Sequence, residues 1–304
     1  MSAVARRYEF DDRFFERTDD PEVAYFAGLV VADGCVIHTP ESTVLDVTLH
    51  QSDSHHLRKF ADALKIPSGF SPVYRARGCS KLIVSSPNLR VGLTMWGAIP
   101  RKTYELREMP KLWSNPNTLP HFVRGLWDGD GHIGHHHTKN TTHIGLNITC
   151  NSWIIDWLAD VMNERGTPFN RYNSPPRMIE DGSPFVVSKL CICRHGAILD
   201  WLEWLGYYDS GRPTLDRKRG AAMEIRDWCN RTIRRNHQPK VWAPRPCVHC
   251  GIYYTPESSN GHRQKYCSPK CGMDHRNQMR ARFTSSATMT VTGTRTDTAL
   301  PFES

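Results

Sequence analysis

A chain of 304 residues has room for about two domains of ~150 residues. Its 39% apolar, 10% aromatic and 23% charged residues are a globular composition, and no apolar run approaches the ~20 residues of a bilayer span. The opening stretch MSAVARRYEFDDRFFERTDD lacks the apolar core of a secretory signal, so a cytoplasmic protein without a membrane partner is expected, whose ten cysteines serve metal or core rather than disulfides.

The first elements in the chain form a unit that recurs. The run YFAGLVVADGCV (25–36) is a helix entered through Asp20, Pro21 and Glu22, which suit a cap, a first turn and the positive end of the helix dipole. Gly34 follows it and can close the helix in the left-handed conformation, which puts Asp33 in the last turn. Alternating runs at Val36 to His38 and Val44 to Leu49 read as a hairpin. SHHLRKFADALK is a helix, with Leu57, Phe60, Ala61 and Leu64 at three- and four-residue steps. Strands at Pro72 to Arg77 and Lys81 to Ser85, then the helix NLRVGLTMWGAI, complete the unit.

The run FVRGLWDGDGHI (122–133) superposes on the first motif, with Gly28 on Gly125, Leu29 on Leu126, Asp33 on Asp130 and Gly34 on Gly131. A hairpin (Ile133 to His137, Ile144 to Thr149), the helix SWIIDWLADVMNERG, strands near Phe169 to Tyr172 and Phe185 to Cys193, and the helix AILDWLEWLGY follow in the same order. An α+β chain of two tandem αββαββα repeats, 1–118 and 119–236, is expected. HQPKVWAPRPC, with three prolines in eleven residues, reads as a linker to a cysteine-bearing module over 237–282, and the Thr/Ser-rich 283–304 as a disordered tail.

Charge follows this division. Residues 1–211 carry 22 Lys/Arg against 24 Asp/Glu, whereas residues 212–271 carry 13 against 4, so nearly all of the net +8 lies in one C-terminal stretch. A polyanion is the natural partner for such a stretch, and a merely solvated basic surface the plainer alternative.

An acid in the last turn of a helix faces partial negative charge and loses roughly 0.3–1 kcal/mol there. Two such helices packed at Gly28 and Gly125 would also set Asp33 against Asp130. The pair makes sense with cations between them, and a small set of oxygen ligands suits Mg²⁺. Asp-Gly turns ending two ordinary core helices are the competing reading, which matched occurrence in a duplicated unit disfavours. WDGDGH is not a calcium loop, because loop position 5 is His132 and position 12 is Lys139.

The two motifs, AYFAGLVVADGCV and FVRGLWDGDGHI, resemble those of LAGLIDADG homing endonucleases in their single-chain form, over about residues 8–230. The resemblance implies two saddle-shaped sheets on double-stranded DNA and hydrolysis of both strands across the minor groove, leaving 3′ overhangs. It implies two or more Mg²⁺ ions on Asp33, Asp130 and the backbone carbonyls of Ala32 and Gly129. It also implies a basic residue near each scissile phosphate, Lys102 (with Arg107 as its rival) and Lys218, and water-ordering polar residues at Gln51 and Asn151. Val31 stands where the first motif would carry its earlier acid, and Arg124 where the second would carry a small residue. A silent DNA-binding regulator or an RNA-splicing maturase on the same scaffold is the alternative. Without a leading nucleophile or a closing His-Asn, the chain does not read as an intein; a freestanding or intron-borne protein, monomeric, in a bacterial or phage-infected cell, is expected.

DNA-reading candidates are Arg75 and Arg77 on one strand face, and His136 with His132 and Gly134 on another. His135, His136 and His137 alternate faces and make a poor metal site, and Cys191 and Cys193 read as buried strand residues. Cys247, Cys250, Cys267 and Cys271 are spaced for one closed structural Zn²⁺ site in a treble-clef-like finger, with Gly251 permitting its tight turn. Arg263 and Lys265 beside it suggest nucleic-acid contact; a protein-binding finger remains the other option.

Overall fold

The computed structural model describes residues 8–67, 73–76, 78–137, 142–178, 182, 184–237, 243–256 and 263–287. The first repeat runs α1 (Pro21–Asp33), β1 (Gly34–His38), β2 (Thr43–His50), α2 (Ser54–Ala63), β3 (Val73–Ala76), β4 (Cys79–Ser86), α3 (Leu89–Met95) and the short α4 (Lys102–Glu105). The second runs α5 (Leu119–Asp130), β5 (Gly131–His137), β6 (Thr142–Asn151), α6 (Ser152–Glu164), β7 (Asn170–Asn173), a small hairpin β8 (Arg177–Met178) and β9 (Pro184–Phe185), β10 (Val187–Ile192) and α7 (His195–Trp204). The long α8 (Asp216–His237) follows, then β11 (Arg245–Pro246), β12 (Tyr253–Tyr254) and α9 (Pro269–Ala287).

Each repeat builds one antiparallel four-stranded sheet, in the orders β1-β2-β4-β3 and β5-β6-β10-β7. Side chains along β2 and β10 alternate between the core and an open face. On α2, His56, Leu57, Phe60 and Ala61 form the buried stripe.

Helix α1 is buried at every residue from Val23 to Val31, because it packs on α5 as well as on its own sheet. Asp20 starts it as expected, its Oδ1 accepting the Glu22 N–H at 2.8 Å and the Val23 N–H at 3.4 Å, with Pro21 in the first turn. The helix ends differ from the expectation. Gly34 (φ −80°, ψ 146°) and Gly131 (φ −86°, ψ 160°) are extended, so each motif helix passes straight into a strand without a left-handed closing residue. Their glycine identity has a steric cause: a Cβ at Gly34 would lie 2.6 Å from the Val30 carbonyl oxygen, and one at Gly131 would lie 2.5 Å from that of Trp127.

The two repeats share one core and form one compact unit, residues 1–232; residues 233–304 form a second. The division falls inside α8 rather than after residue 236. Helix α9 runs on to Ala287, so residues 283–287, expected in the tail, are helical; 288–304 lie outside the described residues. Among the described residues no helix is long and apolar enough to cross a membrane.

Candidate active site

The crossing of α1 and α5 is set by two glycines in reciprocal contact. A Cβ on Gly28 would lie 2.0 Å from the Phe122 carbonyl oxygen, and one on Gly125 would lie 1.9 Å from that of Tyr25. Backbone meets backbone there. One turn further on, a Cβ on Gly129 would lie 2.2 Å from the Ala32 Cβ and 3.2 Å from Asp33 Oδ2. The helices thus stay in contact to their last residues, Asp33 and Asp130, which are exposed.

Both acids resist ionisation. The Asp33 carboxyl is raised to about 6, first by the hydration it loses against the packed helix ends and then by the facing Asp130; Lys218, Lys102 and Arg217 oppose the rise. Asp130 is also raised, chiefly by lost hydration, and is opposed by a hydrogen bond from Cys150 (Sγ to Oδ2, 3.2 Å) and by Lys102 and Lys218. No donor among the described residues reaches the Asp33 carboxylate. The last-turn carbonyls of Ala32 and Gly129 lack a helical donor four residues on, where the chain has already entered β1 and β5. Hard oxygen donors with two uneasy negative charges fit Mg²⁺.

Both lysines reach this floor. Lys102 donates to the Gly34 carbonyl, and Lys218 to the equivalent Gly131 carbonyl at 2.7 Å. Lys218 is buried and also donates to the carbonyls of Trp127 (2.6 Å) and Asp128, so its ammonium is spent on the end of α5. Burial lowers it to about 8, against the pull of Asp128, Asp33 and Asp130. Arg107, the rival of Lys102, is exposed and lines a separate recess with Glu105 and Glu108.

Asn151 departs from its expected role. Its Oδ1 accepts the Ile154 N–H at 2.9 Å as the cap of α6, and its Nδ2 donates to the Thr103 carbonyl at 3.2 Å, so the side chain is held by structural bonds, with one amide N–H and one lone pair left over. Its counterpart is not Gln51. Gly34 pairs with Val47 and Gly131 with Ile148, so three residues on, His50 matches Asn151. Gln51 is exposed and opens a short 3₁₀ turn. Beside Asp130 a cavity of about 230 Å³ is lined by Lys102, Thr149, Cys150, Asn151 and Phe185.

On the open face of the second sheet, His132 stands across from Asn147, and the β5–β6 register pairs His136 with His143, which is exposed. In β3 the register pairs Arg75 with buried Ser80 and Tyr74 with Lys81. Arg77 lies outside the described residues. Cys191 is half-buried and Cys193 exposed, contrary to the buried places expected. The sequence reading also missed two features. Cys150 adjoins Asp130, and its position just before Asn151 at the end of β6 was the available signal. Arg124 is wholly buried, donating to the carbonyls of Leu205 (2.6 Å) and Pro213 (2.9 Å) with its guanidinium 5.2 Å from the Tyr25 ring.

The second unit carries a four-cysteine cluster that could hold a metal ion. The Sγ atoms of Cys247, Cys250, Cys267 and Cys271 lie within 4.8 Å of one another, and Gly251 takes φ +75° in the knuckle between them. Cys267 is pushed up to about 12, first by its hydrogen bond with Cys271, while Cys247 is drawn down to about 6 by backbone N–H groups that outweigh its lost hydration. Four thiolates cannot coexist there without a cation, and the donor set fits Zn²⁺. Arg263 and Lys265 are exposed on this unit.

The chain thus forms two αββαββα repeats joined through glycine-packed motif helices that end in paired acids. Among solved structures, the chain is similar to the LAGLIDADG homing endonuclease I-SmaMI bound to cleaved DNA (10% identity, TM-score 0.47, covering 72% of this chain and 91% of that one). It is also similar to I-GzeII in complex with its DNA target (9%, 0.48, 72% and 92%) and to the N-terminal LAGLIDADG domain of WhiA (15%, 0.37, 68% and 96%). These likenesses are weak, and the resemblance stands on the chain's own motifs and helix pair. No family model and no curated relative matches the chain.

Proposed function

We propose that the protein is a sequence-specific endonuclease that hydrolyses both strands of a long double-stranded DNA target across the minor groove, leaving 3′ overhangs. The observation that carries this reading is the exposed pair Asp33 and Asp130 at the ends of two glycine-packed helices, where lost hydration shifts both carboxyls upward from their ordinary value. Such a pair is costly for packing alone and suited to divalent cations.

Asp33, Asp130 and the carbonyls of Ala32 and Gly129 would hold two or more Mg²⁺ ions. The ions would supply charge neutralisation at the phosphate and the lowered pKa of a bound water. The helix contact fixes the backbone positions from which the two carboxylates project, which limits the reorganisation needed when the duplex docks. Lys102, half-buried and tied to one carbonyl, can swing toward a phosphate. Lys218, tied to three, acts through the field it sets on the acids. Open-face positions such as His132, His136, Asn147 and Lys189 would meet the major groove. The finger, with one structural Zn²⁺ on its four cysteines, would add phosphate contacts through Arg263 and Lys265. The protein would act as a monomer on genomic DNA in the cytoplasm of a bacterial or phage-infected cell.

The test is cleavage of a randomised duplex library with Mg²⁺ present, followed by sequencing of the ends. A unique site with 3′ overhangs is expected, with Asp33→Asn and Asp130→Asn binding that site but leaving it intact. Cutting by either variant at the wild-type rate overturns the reading. Duplex or RNA binding with no cleavage by the wild type under any divalent metal identifies a silent regulator or a maturase instead.

A further inference from the structure

Asp128 belongs to the second motif, yet the proposed chemistry does not use it. It is fully buried, and the matching place in the first repeat holds Val31. Its Oδ1 accepts from the Tyr207 hydroxyl at 2.7 Å. Its Oδ2 accepts from the Tyr25 hydroxyl at 2.7 Å, the Thr214 hydroxyl at 2.8 Å and the Leu215 N–H at 2.8 Å. A buried carboxylate is expensive even when fully satisfied. Packing at this place does not require one, since a valine suffices in the other repeat.

The donors indicate what the acid holds. Thr214 and Leu215 lie just before α8, and the Leu215 carbonyl accepts the N–H groups of Lys218 (3.0 Å) and Arg219 (2.9 Å) in its first turn. Lys218 reaches back to the carbonyls of Trp127 and Gly131, on either side of Asp128 along the chain. Two opposed bonds therefore join the end of α5 to the start of α8, a carboxylate gripping one element and an ammonium gripping the other. The start of α8 is also fastened to the first repeat, where Arg217 Nε meets Asp53 Oδ2 at 2.8 Å and Asp216 meets His55 (2.8 Å) and Lys59 (3.2 Å).

We propose that Asp128 is a positioning residue, which fixes the amine of Lys218 beside Asp130 by holding the Thr214–Leu215 turn at the root of α8. The first repeat has no such acid, and among the described residues Lys102 bonds to Gly34 alone, so the effect is confined to one half of the site.

Asp128→Asn keeps the shape but turns one acceptor oxygen into a donor. In the full-length protein, acylation by an N-hydroxysuccinimide ester, read by mass spectrometry, should find Lys218 protected in the wild type. In the variant its labelling should rise several-fold while that of Lys102 does not change. This readout does not depend on nuclease activity. Where cleavage is observed, as the proposed function requires, Asp128→Asn should lower kcat about ten-fold or more with KM unchanged. Added to Lys218→Met it should cost nothing further. Wild-type protection of Lys218 in a folded Asp128→Asn protein overturns the proposal, as does an equal kinetic loss with and without Lys218. If Asp128→Asn does not fold, Thr214→Val removes one of the four bonds and should shift Lys218 labelling in the same direction; no shift overturns it. Absence of cleavage by the wild type would defeat the nuclease reading and leave the labelling result to decide this one.

Discussion

Lys102 and Lys218 donate to the carbonyls of equivalent glycines, Gly34 and Gly131, across sequence separations of 68 and 87 residues. The two bonds are unequal in consequence, because Lys218 also satisfies the carbonyls of Trp127 and Asp128 and is buried. Lys218→Met should therefore cost about 2–3 kcal/mol of stability in metal-free protein, and Lys102→Met less than about 1 kcal/mol. Guanidinium unfolding of both variants measures the difference, and equal midpoints would contradict it.

Gly28 and Gly125 admit no side chain. The atoms a Cβ would strike are backbone carbonyl oxygens of the facing helix, which cannot swing aside. Gly28→Ala or Gly125→Ala should destabilise by about 3 kcal/mol or more, or abolish soluble expression. Gly196→Ala, at a glycine whose Cβ position is open, should stay within about 0.5 kcal/mol of wild type. Similar melting curves for all three would refute the helix contact.

His56 makes stability depend on pH. Its Nε2 lies 2.8 Å from the Tyr25 hydroxyl, whose proton goes to Asp128, while its buried Nδ1 has no partner among the described residues. Burial lowers it to about 4; Lys59 and His55 add to the drop, and Asp128 and Asp216 oppose it. As pH falls, the unfolded chain binds the proton first. The stability is therefore full above about pH 6.5 and is lost progressively toward pH 4, by on the order of 3 kcal/mol. Urea midpoints of wild type and His56→Gln should diverge at pH 7 and converge near pH 4.5. A pH-independent gap between them would rule this out.

The cysteine module should carry one zinc per chain. Protein purified under reducing conditions should give a 1:1 ratio by elemental analysis. A chelator should then raise the number of titratable thiols by four without shifting the thermal transition of residues 1–232. Protein free of zinc, or a chelator that melts the larger unit, would be inconsistent with a self-contained metal site.

What could be read from sequence was what local chemistry encodes. Asp33 and Asp130 were legible because capping residues and glycines bound their helices, and the repeat itself because two motifs align without gaps. Register was not legible. Gln51 and Asn151 look equivalent in a list of residues, but strand pairing matches His50 to Asn151. Lys218 was found by its place after the last helix of its repeat, yet its three carbonyl partners were not. The bonds to Asp128 were out of reach for a plainer reason: they close loops of 79–103 residues, and no local pattern announces such a contact.

The hydroxyl of Tyr25 comes from one half of the molecule and the carboxylate it serves from the other. The halves are therefore not freely interchangeable parts. A hybrid that grafts the second half onto a foreign first half inherits an acid sealed in the seam, and must bring a tyrosine to meet it. Shuffling by recombination, in nature or at the bench, is constrained at this point before any question of which bases are read.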